Sequence, residues 1–341
     1  MNDTKNKSTG GCRVPIEQQI RDEWADKPYN SLSAYLKKEY GEKVFKIALD
    51  GGFTCPNRDG SKGTGGCIFC SAGGSGEFAT SVTKHNIPEQ IETALSRFGS
   101  KNVGRKYIAY FQAYTGTYGE PDRLYALYTA ALSHPSICGI SIATRPDCLG
   151  EEVLDVLSRC RGDFPDKFIW IELGLQSMHE RTAVYIRRGY PLSCFEEAIE
   201  KLHRLQIPII VHVILGLPGE NDDDVLKTID YLNSCRIFGI KLQLLHVLKG
   251  TDLADEYEKG SFACLTKEHY IGLLIRCIDR LDPNIVLHRV TGDGPADLLV
   301  APTWSLYKWD ILNTLHRLMR EGGHYQGRER KQNDTGSTYH I

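Results

Sequence analysis

Short apolar runs alternate with helical patterns through most of the chain, and this alternation constrains the fold more than any single residue does. Strand candidates lie at Val44–Leu49, Tyr107–Phe111, Ile137–Ala143, Phe168–Leu173, Ile207–Leu215 and Gly239–Leu245. Between them run helical patterns at Pro88–Phe98, Pro121–Leu132, Glu151–Cys160, Leu192–Leu205 and Asp222–Cys235. A strand that returns parallel to its predecessor needs a long crossover, which a helix supplies. The pattern predicts a parallel sheet covered by helices. Six such units are fewer than the eight that close a barrel. The expected fold is α/β, an open partial (β/α)6 TIM-type barrel with parallel strands and a C-terminal α/β extension.

The rest of the chain is arranged around this core. Residues 1–28 are polar, broken by Gly10, Gly11 and Pro15, and read as a mobile leader in which Cys12 is a bystander. The barrel is expected over 29–250, beginning with a helix capped by Asn30 or Ser31. An extension over 251–322 packs on it, with a helix at Lys267–Leu281, a last strand at Ile285–Val290 and a helix at Leu306–Met319. The stretch 323–341, with Arg328, Arg330 and Lys331 against Glu329, reads as a disordered tail.

Composition excludes some classes of function. A formal net charge of -2 gives no global basic field, so any nucleic-acid contact must be a local patch. Eleven scattered cysteines, an odd number, do not form a secreted disulfide framework. No apolar run is long enough to span a membrane, and the expected location is cytoplasmic.

Strand one runs directly into Cys55-Pro-Asn-Arg-Asp-Gly-Ser-Lys-Gly-Thr-Gly-Gly-Cys67-Ile-Phe69-Cys70. In barrels of this kind the site lies at the C-terminal ends of the strands, which is where this loop emerges. Three thiolates in a glycine-rich loop can hold three irons of a four-iron cluster and leave one open to a small molecule. The competing reading is a structural zinc knuckle with His85 as fourth ligand.

Later strands end in polar groups aimed at the same mouth: Gln112 and Tyr114, Thr144 and Arg145, Gln176 and Ser177, His212 and Gly216–Glu220, and Gln243, His246 and Lys249. One polar strand end is unremarkable, because a solvated loop or a helix cap explains it. Five in register are harder to set aside. Cys138, Cys148, Cys160, Cys194, Cys235, Cys264 and Cys277 form no second C-x-x-C pair. Trp170, Trp304 and Trp309 read as packing residues.

These residues carry a resemblance. C-x11-C-x2-C, Thr144-Arg-Pro-Asp147, Glu172-Leu-Gly-Leu-Gln-Ser177 and Gly216-Leu-Pro-Gly-Glu220 are similar to motifs of the radical S-adenosylmethionine (SAM) enzymes, in the branch of coproporphyrinogen oxidase and the Elongator catalytic subunit. Tyr110-Phe-Gln-Ala-Tyr114, the segment Lys241–Thr251 and His288-Arg-Val-Thr-Gly-Asp293 resemble the YhcC/YtqA-type members more closely. The likeness runs from about Tyr29 to about Leu318.

The resemblance implies that Cys55, Cys67 and Cys70 ligate a [4Fe–4S] cluster whose fourth iron chelates SAM, the source of a 5′-deoxyadenosyl radical. It places Phe69 and the Gly216, Pro218, Gly219 and Glu220 turn beside the adenine, and makes Gln112, Arg145 and Gln176 contacts for ribose or methionine. Gln243, His246 and His212 are the candidates for catalysis. It further implies a flavodoxin- or ferredoxin-type electron donor and tRNA as substrate, with 5-carboxymethylaminomethyluridine at the wobble position converted towards 5-aminomethyluridine. No acetyltransferase segment follows the barrel, so the Elongator reaction itself is not expected. Two alternatives stand beside this: a radical SAM oxidoreductase acting on a small metabolite, and a zinc-binding structural protein.

Overall fold

The computed structural model describes residues 24, 27–74, 86–98, 105–292 and 294–330. Seven parallel strands form one sheet in strictly sequential order: β1 (Val44–Leu49), β2 (Lys106–Phe111), β3 (Ile137–Thr144), β4 (Phe168–Gln176), β5 (Ile209–Leu215), β6 (Gly239–Leu244) and, after a short excursion, β8 (Val286–Arg289). The excursion is β7 (Val247–Leu248), which pairs antiparallel with β9 (Leu299–Ala301). Helices α1 (Leu32–Tyr40), α2 (Ile87–Phe98), α3 (Pro121–Leu132), α4 (Glu151–Asp163), α5 (Glu180–Tyr185), α6 (Leu192–Arg204), α7 (Asp222–Ser234), α8 (Asp252–Glu258), α9 (Lys267–Arg280) and α10 (Lys308–Glu321) complete the chain. The open partial barrel is the fold expected. Its seventh strand comes from beyond residue 250, so the extension completes the sheet as well as packing on it.

The strands are apolar on both faces because helices cover one face and the barrel interior the other. Between sheet and helices lies the main core, with Leu49, Phe111, Ile140, Ile171, Val211 and Leu242 from the strands and Leu124, Leu157, Phe195, Ile229 and Leu274 from the helices. Inside the curl, residues two apart on each strand stack in layers. The lowest layer is an apolar plug of Ile108, Trp170, Ile210 and Phe238, capped from below by Leu36 of α1. Trp170 stacks on Phe168 with centroids 4.1 Å apart.

The gap between β1 and β8 is bridged rather than closed. Helix α1 packs against both edges, its start fixed by the Ser31 side chain, which accepts from the Ala34 amide. Just before it, Asn30 O accepts from the Leu287 amide at 2.7 Å.

At the ends of the chain the described residues add detail to the expectation. The expected tail is docked through residue 330: Gln326 is 1% exposed, and its amide donates to Asp282 O at 2.6 Å and Ile285 O at 2.8 Å. His324 and Arg328 converge on the buried Asp279, and Arg330 on Asp282. Within the expected leader, Trp24 is buried. The rest of the leader, residues 331–341 and His85 lie outside the described residues. Trp304 packs on Tyr270 as expected, but Trp309 is 80% exposed.

Candidate active site

The loop after β1 folds back on itself before any ligand is considered. Arg58 and Asp59 amides donate to Cys55 O at 2.8 and 3.1 Å, Gly66 N to Asn57 O at 2.7 Å, and Cys70 N to Cys67 O at 2.9 Å. The Asn57 amide reaches Arg187 O at 2.6 Å and lies 3.7 Å from Cys67 Sγ. Gly66 has φ +74, and a Cβ there would stand 2.9 Å from Arg58 Nε, so any other residue is strained in the turn and must displace that arginine. The Arg58 guanidinium in turn donates to the Cys70 and Ser71 carbonyls.

Cys55, Cys67 and Cys70 line one cavity of about 250 Å³ that runs down into the barrel. Burial, then the neighbouring Cys70 thiol, pushes the Cys67 thiol up to about 11. Among the described residues, no three His, Cys, Asp or Glu side chains are gathered around a single ion. Soft thiol donors spread around one cavity, with the guanidiniums of Arg58 and Arg145 in electrostatic reach of them, fit an anionic iron–sulfur cluster.

The same cavity gathers most of the residues picked from the sequence: Phe69, Gln112, Arg145, Gln176, His212, Gln243 and His246 all line it. Gln176 ends β4 at φ +66, a strained conformation for a side-chain-bearing residue. Its buried Oε1 has no hydrogen-bond partner. Arg145 arrives with its fork already engaged: Nε and Nη2 donate to Asp147 at 2.9 Å each, and Nη1 to Arg188 O at 3.0 Å. Burial opposes the Asp147 charge, yet Arg145 and Lys62 hold that carboxyl below its ordinary range.

The Gly216, Pro218, Gly219 and Glu220 turn is not brought into this cavity. Gly216 and Glu220 border a separate hollow with His269 and Leu273. The turn swings the chain outward at two positive-φ glycines, 216 and 219, into the capping box of α7 formed by Asn221 and Asp224. The Glu220 carboxyl, pushed up by burial, accepts from Ser177 just past the end of β4.

Below the cysteines lies a layer of which the sequence reading gave a role to His212 alone. Glu172 is buried on β4, and every lone-pair direction of its carboxylate is taken. Oε1 accepts from Lys46 Nζ at 2.6 Å and Ser141 Oγ at 2.5 Å. Oε2 accepts from His212 Nε2 at 2.7 Å and from Lys241 Nζ, and Lys241 also donates to Tyr110 OH at 3.0 Å. One polar group thus enters from each of the first six strands.

Burial works against the Glu172 charge, but Lys241 and Lys46 hold the carboxyl well below the usual range. Burial outweighs the pull of Glu172 on Lys241 and, with Lys46 and Arg289 adding to it, pushes that ammonium down to about 7. His212 is pushed down to about 4 by burial and by Lys241, and stays neutral. The signal in the sequence was a lone charge in an otherwise apolar parallel strand, as at Lys46, Glu172 and Lys241.

Comparison with known proteins identifies the family. The radical SAM superfamily model matches residues 58–232, and the Radical_SAM C-terminal domain model matches 237–321. YtqA of Bacillus subtilis is 42% identical over 303 residues, covering 89% of this chain and 93% of its own. YhcC of Escherichia coli is 35% identical over 295 residues, covering 86% and 93%. Among solved structures, the archaeal Methanocaldococcus infernus Elp3 shares the fold with a TM-score of 0.61 at 16% identity, covering 83% of this chain and 64% of that one. The cysteine loop, the strand-end side chains and these matches converge, and the chain belongs to the radical SAM superfamily.

Proposed function

We propose that this radical SAM enzyme acts on the C5 side chain of a wobble uridine in tRNA, taking 5-carboxymethylaminomethyluridine towards 5-aminomethyluridine. Radical SAM enzymes use a [4Fe–4S] cluster and SAM, which together supply a 5′-deoxyadenosyl radical for hydrogen abstraction, and they need a reductant. Cys55, Cys67 and Cys70 are the proposed cluster ligands. Phe69, Gln112 and Gln176 are proposed to position SAM, and a flavodoxin- or ferredoxin-type protein is proposed as the donor.

The observation that carries the reading is the polar layer on Glu172, at the bottom of a cavity that opens at the cysteine loop. A deep cavity lined with polar groups from β2 through β6 and from β8 accommodates a long hydrophilic substituent on a base taken out of its stack. The kinship supports it: Elongator complex protein 3 of Schizosaccharomyces pombe is 25% identical over 172 residues, covering 49% of this chain and 30% of its own. The chain's own part is to orient that substituent, exclude water and hold protons, with His212, Gln243 and His246 facing it. The test is nucleoside mass spectrometry of tRNA from a deletion strain. Accumulation of the carboxymethylaminomethyl nucleoside is expected, and an unchanged wobble profile sinks the reading.

A further inference from the structure

We propose that Lys241 and Arg289 form a receptor for a carboxylate on the substrate's side chain, seated in the polar layer below the cysteines. The proposal rests on the substrate class given above and goes beyond it by naming the group recognised and the residues that recognise it.

Register comes first. His212 on β5 is paired with Lys241 on β6, and Lys241 with Arg289 on β8. Residues paired across neighbouring parallel strands project to the same side, about 4.8 Å apart. The β6–β8 pairing shifts register between Ile240 and Lys241, yet all three side chains line the cavity that reaches the cysteines. A ligand group held by them shares one enclosed space with the cluster loop.

Charge comes next. Among the described residues Glu172 is the carboxylate of this layer, and its four hydrogen bonds leave it nothing to offer a ligand. Against it stand the Lys46 and Lys241 ammonium groups, with Arg289 near enough to act on Lys241. Of these, Lys241 and Arg289 line the cavity and present cationic donors to whatever enters.

Donor capacity settles which group carries the recognition. An ammonium has three N–H bonds. Protonated Lys241 uses two, on Glu172 and Tyr110, which leaves the third for a ligand in the cavity that it lines. His212 donates Nε2–H to Glu172, and being neutral it keeps a lone pair on Nδ1. An N–H next to a carboxylate, as in a carboxymethylamino group, matches this pairing of a cationic donor with a neutral acceptor one strand away.

A carboxylate is favoured over a phosphate by the size of the offer. The receptor supplies a short planar span between two neighbouring strands, whereas a phosphate monoester brings three oxygens and nearly two charges.

The test uses the cluster-loaded enzyme and calorimetric titration with N-methylglycine, N-methylaminoethanol and inorganic phosphate. N-methylglycine carries the amine and carboxylate of the side chain, and N-methylaminoethanol replaces the carboxylate with a hydroxyl. N-methylglycine is expected to bind at least about tenfold more tightly than the alcohol, the scale of one charge-assisted hydrogen bond. Lys241→Met and Arg289→Gln are each expected to lose about tenfold in that affinity, with Lys241→Arg keeping most of it.

Equal binding of the two amines, tighter binding of phosphate, or unchanged affinity in both variants overturns the receptor. Circular dichroism checks each variant's fold, and Arg289→Gln, which leaves Glu172 its four bonds, carries the test should Lys241→Met not fold. Failure here is separable from failure of the tRNA reading. A changed wobble profile with unaltered fragment binding in the variants keeps the tRNA substrate and removes the receptor. Fragment binding lost in the variants with an unchanged wobble profile does the reverse.

Discussion

Lys46 Nζ lies 2.6 Å from Glu172 Oε1, although two strands separate β1 from β4 in the sheet. A bond of this length across the interior requires a strongly curled sheet, and it ties the free edge strand to the centre of the barrel. Breaking a buried pair from one side leaves a charge uncompensated. Lys46→Met is expected to destabilise by about 2–3 kcal/mol, less than a fully severed buried pair because Lys241 and His212 remain on the carboxylate. Urea unfolding checks this. In a double-mutant cycle with Glu172→Gln, the two losses are expected to be clearly less than additive.

His212 sets a pH dependence. Its folded-state value of about 4 lies below the ordinary 6.5, so the unfolded chain binds a proton over a range where the folded chain does not. Stability is therefore expected to fall as pH drops from about 6.5 towards 4, by a few kcal/mol at most. The ring is 16% exposed to the cavity, which trims the effect. His212→Asn is expected to flatten that part of the profile, measured by urea midpoints between pH 4 and 7.

Gln176 trades stability for position. A side-chain-bearing residue at φ +66 is strained by about 1 kcal/mol or more. Gln176→Gly is expected to raise the melting temperature of the cluster-free protein while weakening SAM binding in equilibrium dialysis. A lower melting temperature contradicts the strain argument, and unchanged SAM affinity removes Gln176 from the SAM site.

Gly66 is the narrowest point of the cysteine loop. Gly66→Ala places a methyl against Arg58 at a positive φ, a combined penalty of at least about 1 kcal/mol. The fold is expected to persist, with iron retained after anaerobic reconstitution falling to about half or less if the loop holds the cluster. Electron paramagnetic resonance of the reduced protein gives the companion reading. A four-iron signal that shifts with SAM and disappears in Cys55→Ala is expected, and stoichiometric zinc with no such signal removes the cluster assignment.

Much of this was legible in the chain. Alternating strand and helix patterns are local, so Val44–Leu49 and Pro121–Leu132 emerged with their observed limits. The cysteine loop was legible because its spacing is itself the signal. The polar layer was not. Lys46, Ser141 and Lys241 stand far apart in sequence, and their meeting on Glu172 follows from the curl of the sheet, a global property. The β5–α7 turn is legible as a motif because its glycines are local, while the hollow it borders depends on how Gly216 and Gly219 swing the chain. The docking of the chain up to residue 330 was not legible because a charged composition resembles solvated chain, whereas Arg330 and His324 find partners on Asp282 and Asp279.

The single interruption of the barrel wall is where the described ends of the chain meet. The Gln326 amide N–H donates to Pro28 O at 3.0 Å, and its side-chain oxygen accepts from the Asn30 amide at 2.8 Å. Gln326 is therefore a rivet through the seam of a split hoop. Gln326→Ala is expected to cost about 2–3 kcal/mol by stranding buried backbone groups. The loss should surface first at the lips of the seam, β1 and β8, as faster amide exchange there than in β4. Because Lys46 rides on one of those lips and Arg289 on the other, spreading the hoop is expected to loosen the Lys46 bond to Glu172 and draw Arg289 outward, so that a residue far from the cysteines sets the bore of the chamber beneath them.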